Sequence, residues 1–153
     1  MRVLIIFTFI LSILYNGESK ASSKMKIYYS FINNNMVEWK GVIDDMNKQK
    51  VKTNEYLLEL INYQYGYIGY AIGINNENEA LKYLSIFEKN IQYLLNKDYN
   101  VSMMYAYNAA LYGYKIDMNK INAPVLGPKS KENANEARKL EPSNWFAYLQ
   151  LAN

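Results

Sequence analysis

Carboxylates carry most of the chemical potential of this chain, because its sequence contains neither histidine nor cysteine. Without histidine, the usual general base at neutral pH and the commonest metal ligand are missing. Without cysteine there is no thiol nucleophile, thiolate metal site or disulfide. Carboxylate, lysine, tyrosine and hydroxyl groups remain, and the acid pairs are spaced for plainer roles than catalysis. Asp44 and Asp45 are adjacent, so on a helix they diverge by about 100° and do not converge on one substrate. Glu77 and Glu79 fall at a turn and helix start, where negative charge favours the positive helix end. Glu132 and Glu136 lie four apart among lysines and read as a solvated face. No glycine-rich phosphate loop or metal-ligand spacing is present. The expectation is a protein that is not an enzyme and needs no cofactor or metal.

Binding is the remaining chemistry. The chain has 16 tyrosines, and half of its 153 residues are hydrophobic by a count that includes them. A lysine, asparagine and tyrosine bias also follows from an AT-rich genome. A net charge of +3, with scattered lysines, is too mild to point to nucleic acid. Asn100-Val101-Ser102 matches a glycosylation sequon, which matters only in a eukaryotic host.

Residues 1–21 read as a signal peptide. Arg2 gives a positive start, Val3 to Tyr15 is almost wholly apolar, and Asn16-Gly17-Glu18 breaks the run. Ser19-Lys20-Ala21 then places small residues one and three positions before a cut after Ala21. The apolar run is shorter than the roughly 20 residues of a membrane span. Cleavage removes Arg2, Glu18 and Lys20 and lowers the charge to +2. The chain is therefore expected to be exported, periplasmic or secreted, with no membrane span once the leader is cut. The alternative is an uncleaved N-terminal anchor.

From residue 22 to 153 the pattern is that of one all-α domain, without sustained period-two alternation. Lys24 to Phe31 or Ile32 makes a short helix carrying Ile27, Tyr28 and Phe31. Asn33-Asn34-Asn35 suits a turn, and Met36 to Met46 follows with Met36, Trp39, Ile43 and Met46 at helical spacing. Thr53 or Asn54 can cap a helix to about Ile74, in which Gly66, Gly69 and Gly73 predict close approach of another helix. Asn76 or Asn78 leads a helix to Asn96, with Ala80, Leu81, Leu84, Phe87, Ile91, Leu94 and Leu95 on its buried side. Val101 to Met118 is again long, and a loop is expected from Asn119 to about 128. Beyond it, Ala134, Ala137 and Leu140 mark one face of a helix that Pro142 stops. Ser143 or Asn144 can cap a last helix with an apolar stripe of Trp145, Tyr148, Leu149 and Ala152. The hairpins expected are about 24–47, 53–97 and 100–141, with a terminal helix at 143–153.

The chain also aligns with itself. A shift of 44 residues places Tyr63 on Tyr107, Gly69 on Gly113, Tyr70 on Tyr114 and Ile72 on Ile116. A shift of about 41 brings Ala106-Tyr107 onto Ala147-Tyr148. Helix pairs recurring at this period mark an α-solenoid.

The seam Ala134, Ala137, Leu140, Pro142, Ala147-Tyr148 and Leu151-Ala152 resembles the junction between two tetratricopeptide repeats. Ala137 matches the family's late alanine, Pro142 its helix-ending proline, and Tyr148 with Leu151-Ala152 the start of the next first helix. Ala80 matches the alanine that opens a second helix. Residues 24–118 follow the pattern only loosely, since the proline is missing there and Trp39 stands where a small residue is usual. The run Leu126-Gly127-Pro128-Lys129-Ser130 also resembles exported bacterial repeat proteins of the Bacteroidetes type.

The tetratricopeptide resemblance implies a right-handed superhelix of about three hairpins plus a terminal helix. It also implies a groove that docks a peptide or helix of a protein partner. On the matching helix the groove-facing candidates are Tyr105, Asn108, Tyr112 and Lys115, with Gln64 and Ile68 their equivalents one repeat earlier. Tyrosine and asparagine suit such a surface. The alternatives are a carbohydrate-binding module using exposed tyrosines, or a fragment of a longer repeat protein. The terminal helix, with Trp145, Phe146, Leu149 and Leu151, is a further place for association.

Overall fold

In a computed structural model that describes residues 23–152, the chain folds into seven α-helices and no strand among those residues. The leader expected at 1–21 lies outside the described residues. The chain forms two compact units, one up to Val51 and the other from Lys52.

In the first unit, α1 (23–32) and α2 (Met36–Lys48) are joined by the asparagine turn. Asn34 takes the left-handed conformation at φ 52°. The side chain of Asn35 caps α2 by accepting from the Glu38 N–H. Phe31 and Trp39 meet edge to face across the turn at 6.2 Å. Ile27, Val42, Ile43 and Met46 are buried, while Tyr28 and Phe31 are exposed.

The second unit holds α3 (Asn54–Gly73), α4 (Glu77–Leu95), α5 (Val101–Met118), α6 (Ala123–Leu140) and α7 (Trp145–Ala152). Short polar side chains start three of these helices by local chemistry. Thr53 accepts from the Tyr56 N–H, Asn76 from Glu79, and Asn144 from both Phe146 and Ala147. Each such cap is worth roughly 1 kcal/mol. Asn75, Asp98 and Asn100 supply the left-handed turns between helices.

Within this second unit successive helices from α3 to α7 pack on one another in order, and α3 also touches α5 as α5 touches α7. This pattern is consistent with a helical repeat. The core is made of Leu60, Ile61, Ile68, Tyr83, Phe87, Ile91, Leu94, Met104 and Leu111, all fully buried. Burial stabilises each large side chain by roughly 1.5–3 kcal/mol.

A polar pairing common to the two hairpins appears only in three dimensions. Asn90 of α4 donates its amide to Gln64 of α3 at 3.1 Å, and Asn108 of α5 donates to Asn133 of α6 at 2.8 Å. The partners are 26 and 25 residues apart. Each pair therefore ties the first helix of a hairpin to its second at the same level. Ile91 and Leu94 in one hairpin stand where Ala134 and Ala137 stand in the other, and all four are fully buried.

Several expectations are corrected. The stretch expected as a loop at 119–128 is a 3₁₀ turn, Lys120–Asn122, followed directly by helix. Pro124 falls in the first turn of α6, where the missing N–H has no partner to lose. Pro128 lies inside the helix and forfeits one backbone bond. There the Ser130 hydroxyl bonds the Ala109 carbonyl of α5 at 2.9 Å, and tertiary packing overrides the local preference. Leu81 and Leu140, expected inside, are each about half exposed. In α7 the buried residues are Phe146 and Ala147, whereas Trp145, Tyr148 and Leu149 of the expected stripe face solvent.

The glycine stripe is only partly a close approach. A Cβ at Gly69 meets the Tyr114 hydroxyl at 3.1 Å, whereas one at Gly73 or Gly113 meets nothing within 4 Å. The Tyr114 hydroxyl is held in place by its bond to the Tyr65 carbonyl at 2.9 Å. Gly69→Ala is accordingly expected to destabilise by about 1 kcal/mol despite alanine's better helix propensity. In a Tyr114→Phe background the same change stabilises by about 1 kcal/mol, as Gly113→Ala does alone. Urea denaturation of the four-variant cycle measures this sign change. A stabilising Gly69→Ala in both backgrounds contradicts it.

Candidate functional site

The site is built on an aromatic cluster that joins alternate helices. Tyr65 of α3 lies edge to face with Phe146 of α7 at 5.1 Å and with Tyr107 of α5 at 6.0 Å. It is tilted over Tyr114 of α5 at 5.4 Å. Phe146 and Tyr107 meet directly at 4.9 Å, and Phe87 of α4 backs Tyr107 at 5.8 Å. Such ring pairs contribute about 0.5–1.5 kcal/mol beyond their burial. The Tyr107 hydroxyl donates to Asn62 at 3.0 Å, so neither this hydroxyl nor that of Tyr114 is left unsatisfied. Burial, reinforced by Tyr65 alongside, pushes both phenols well above the ordinary tyrosine range.

Beside this cluster opens a cleft of about 690 Å³, within the size range of ligand sites. Tyr65 of α3 forms one wall. The face of α5 with Ala110, Gly113, Tyr114 and Asp117 is the floor, and small side chains there leave the space open. Ser130 and Lys131 of α6, with Gln150 and Leu151 of α7, close the other side, and Lys120 lies at the turn between α5 and α6. Lys120 is paired with Asp117 at 2.6 Å.

A buried network fixes the α7 wall. Asn144, 3 % exposed, donates to the Ser102 hydroxyl at 2.8 Å while its oxygen caps α7. Ser102 in turn donates to the Ala137 carbonyl at 2.9 Å. One asparagine therefore ties α7 to α5, and Ser102 ties α5 to α6.

None of the six residues expected to face a groove lines this cleft. Gln64 and Ile68 are fully buried in the α3–α4 hairpin, and Asn108 is buried against Asn133. Lys115 bonds both oxygens of Glu88 on α4 at 2.9 Å and lies 6.0 Å from the Tyr112 ring. Tyr105 and Tyr112 are half-buried. The structure thus brings Tyr112 and Lys115 together and leaves Gln64, Ile68 and Asn108 in the core.

The residues that do line the cleft carry one weak signal in the sequence. Ala110, Gly113 and Asp117 share one helical face, but small residues at this spacing equally mark close helix packing, and Ala110 is buried. Among the described residues no three acidic side chains cluster as a metal site, and no helix is long and apolar enough to cross a membrane. Comparison with family models, curated proteins and solved structures finds no significant match.

Proposed function

We propose that this chain is a non-catalytic interaction module, an exported solenoid of tetratricopeptide-like hairpins whose cleft holds an extended peptide from a protein partner. The observation that carries the reading is the shared cleft. Alternate helices α3, α5 and α7 all contribute to it, as the first helices of successive hairpins would in such a solenoid. Its lining mixes tyrosine rings, small residues and hydrogen-bonding groups, which suits a peptide better than a wholly apolar ligand. The export reading rests on the leader pattern at 1–21.

Selection of random peptides displayed on phage against the chain tests this. Gly113→Trp, placed where a side chain meets open space, fills the cleft and is expected to weaken the selected peptides at least tenfold. Tyr105→Ala and Tyr112→Ala, on the surface first expected from the sequence, are expected to leave binding unchanged. Binding that survives Gly113→Trp and is lost with Tyr105→Ala overturns the cleft as the site.

A further inference from the structure

The donors around the cleft are unequally committed. The Tyr114 hydroxyl is spent on the Tyr65 carbonyl and the Ser130 hydroxyl on the Ala109 carbonyl. Lys120 is neutralised by Asp117 at 2.6 Å. Lys131 differs from Lys48, Lys120 and Lys139, each of which pairs with an acid three residues away on its own segment. The positions three and four from Lys131 are Gly127, Pro128, Ala134 and Asn135, and none is acidic. Among the described residues Lys131 has no ion-pair partner, so the cleft carries one uncompensated positive charge. On the α7 wall the Gln150 side-chain N–H₂ is buried without an acceptor. A buried donor without a partner is costly. Turning this amide toward the cleft is the movement that brings it to a ligand atom.

Two uncommitted donors, one of them charged, thus border the same space. We infer that the cleft selects an acidic peptide, with a ligand carboxylate paired to Lys131 and hydrogen-bonded by Gln150. This rests on the peptide-binding reading above. The carboxylate comes either from an aspartate or glutamate side chain or from a free C-terminus, and both present the same two acceptor oxygens.

Fluorescence anisotropy with labelled octapeptides derived from the phage selection tests the inference. Each is made with its acids intact, with Asp and Glu changed to Asn and Gln, and with a free or amidated C-terminus. Loss of affinity of about tenfold on one of these changes, at low salt, is expected and identifies which carboxylate is used. Lys131→Gln removes that difference. Lys131→Glu reverses it in favour of peptides carrying lysine at the same position, a result that a merely structural role does not produce. Lys131 is exposed, so these substitutions disturb no buried contact, and unchanged circular dichroism is expected to accompany them. Peptides that bind equally with acid and amide overturn the acidic preference and leave the peptide-binding reading standing. Failure of every octapeptide to bind overturns both.

Discussion

Phe146→Ala is expected to destabilise the second unit by about 3–5 kcal/mol, the range for removing a buried aromatic from a packed core. The Phe146 ring is 4 % exposed and meets Tyr65 and Tyr107, so it connects α7 to α3 and α5 at once. Its loss also removes what holds the α7 wall of the cleft against the aromatic cluster. Denaturant unfolding followed by circular dichroism gives the stability change. Trp145→Ala is the control: its ring is 69 % exposed, and the expected cost is below about 1 kcal/mol. The reverse ranking, with Trp145 costing more than Phe146, contradicts the observed orientation of α7.

The second large effect is alkaline unfolding. Tyr107 and Tyr114 have phenols raised above their ordinary value of about 10, first by burial and then by Tyr65. A group whose folded value is raised gives its full stabilisation below the unfolded value. That stabilisation is lost as pH rises past it toward the folded value, because only the unfolded chain releases the proton. Each tyrosine then contributes about 1.4 kcal/mol of lost stability per pH unit above about pH 10, or about 3 kcal/mol per unit for the two. Absorbance titration near 295 nm is expected to show exposed tyrosines ionising first. A late step coincides with loss of helix. Tyr114→Phe removes one tyrosine's share of this dependence, about 1.4 kcal/mol per pH unit, and leaves that of Tyr107 and of Tyr63, whose phenol burial and Glu59 also raise. Smooth titration of all tyrosines with the helices intact contradicts the burial of these hydroxyls.

What was legible in the sequence was local chemistry. Thr53, Asn76 and Asn144 announce helix starts because a short polar side chain satisfies a nearby N–H with no help from tertiary structure. Pro142 and the asparagine turns are equally local. The helical stretch at 123–128 was not legible, because Pro124, Gly127 and Pro128 disfavour helix by propensity. What offsets that preference is contact with α5, which no local pattern records.

The same division explains the site. Helix α5 packs against α3, α4, α6 and α7. Its tyrosines and small residues are spread around its circumference, so polarity marks no open face. Choosing Tyr105, Asn108, Tyr112 and Lys115 selected residues of which two bond to α6 and α4. In α7 the difficulty is sharper. Five of the eight residues in Trp145–Ala152 are large and apolar or aromatic, and which side faces inward is set by tertiary contacts, the anchorage of Asn144 to Ser102 and the packing of Phe146 on Tyr65 and Tyr107. The self-alignment at 44 residues is readable from Tyr63 and Tyr107, and the helix order is consistent with it. The amide pairs are not readable, since each joins residues some 25 apart whose facing depends on the hairpin closing.

Backbone amide chemical-shift mapping, with the tightest phage-selected peptide added to the isotope-labelled chain, locates the peptide on the molecule. The largest shifts are expected on Tyr65, Gly113, Tyr114, Lys131 and Gln150, from four helices that share one cleft. Shifts concentrated instead on Tyr105 and Tyr112, or on the exposed Trp145 and Leu149, contradict this placement.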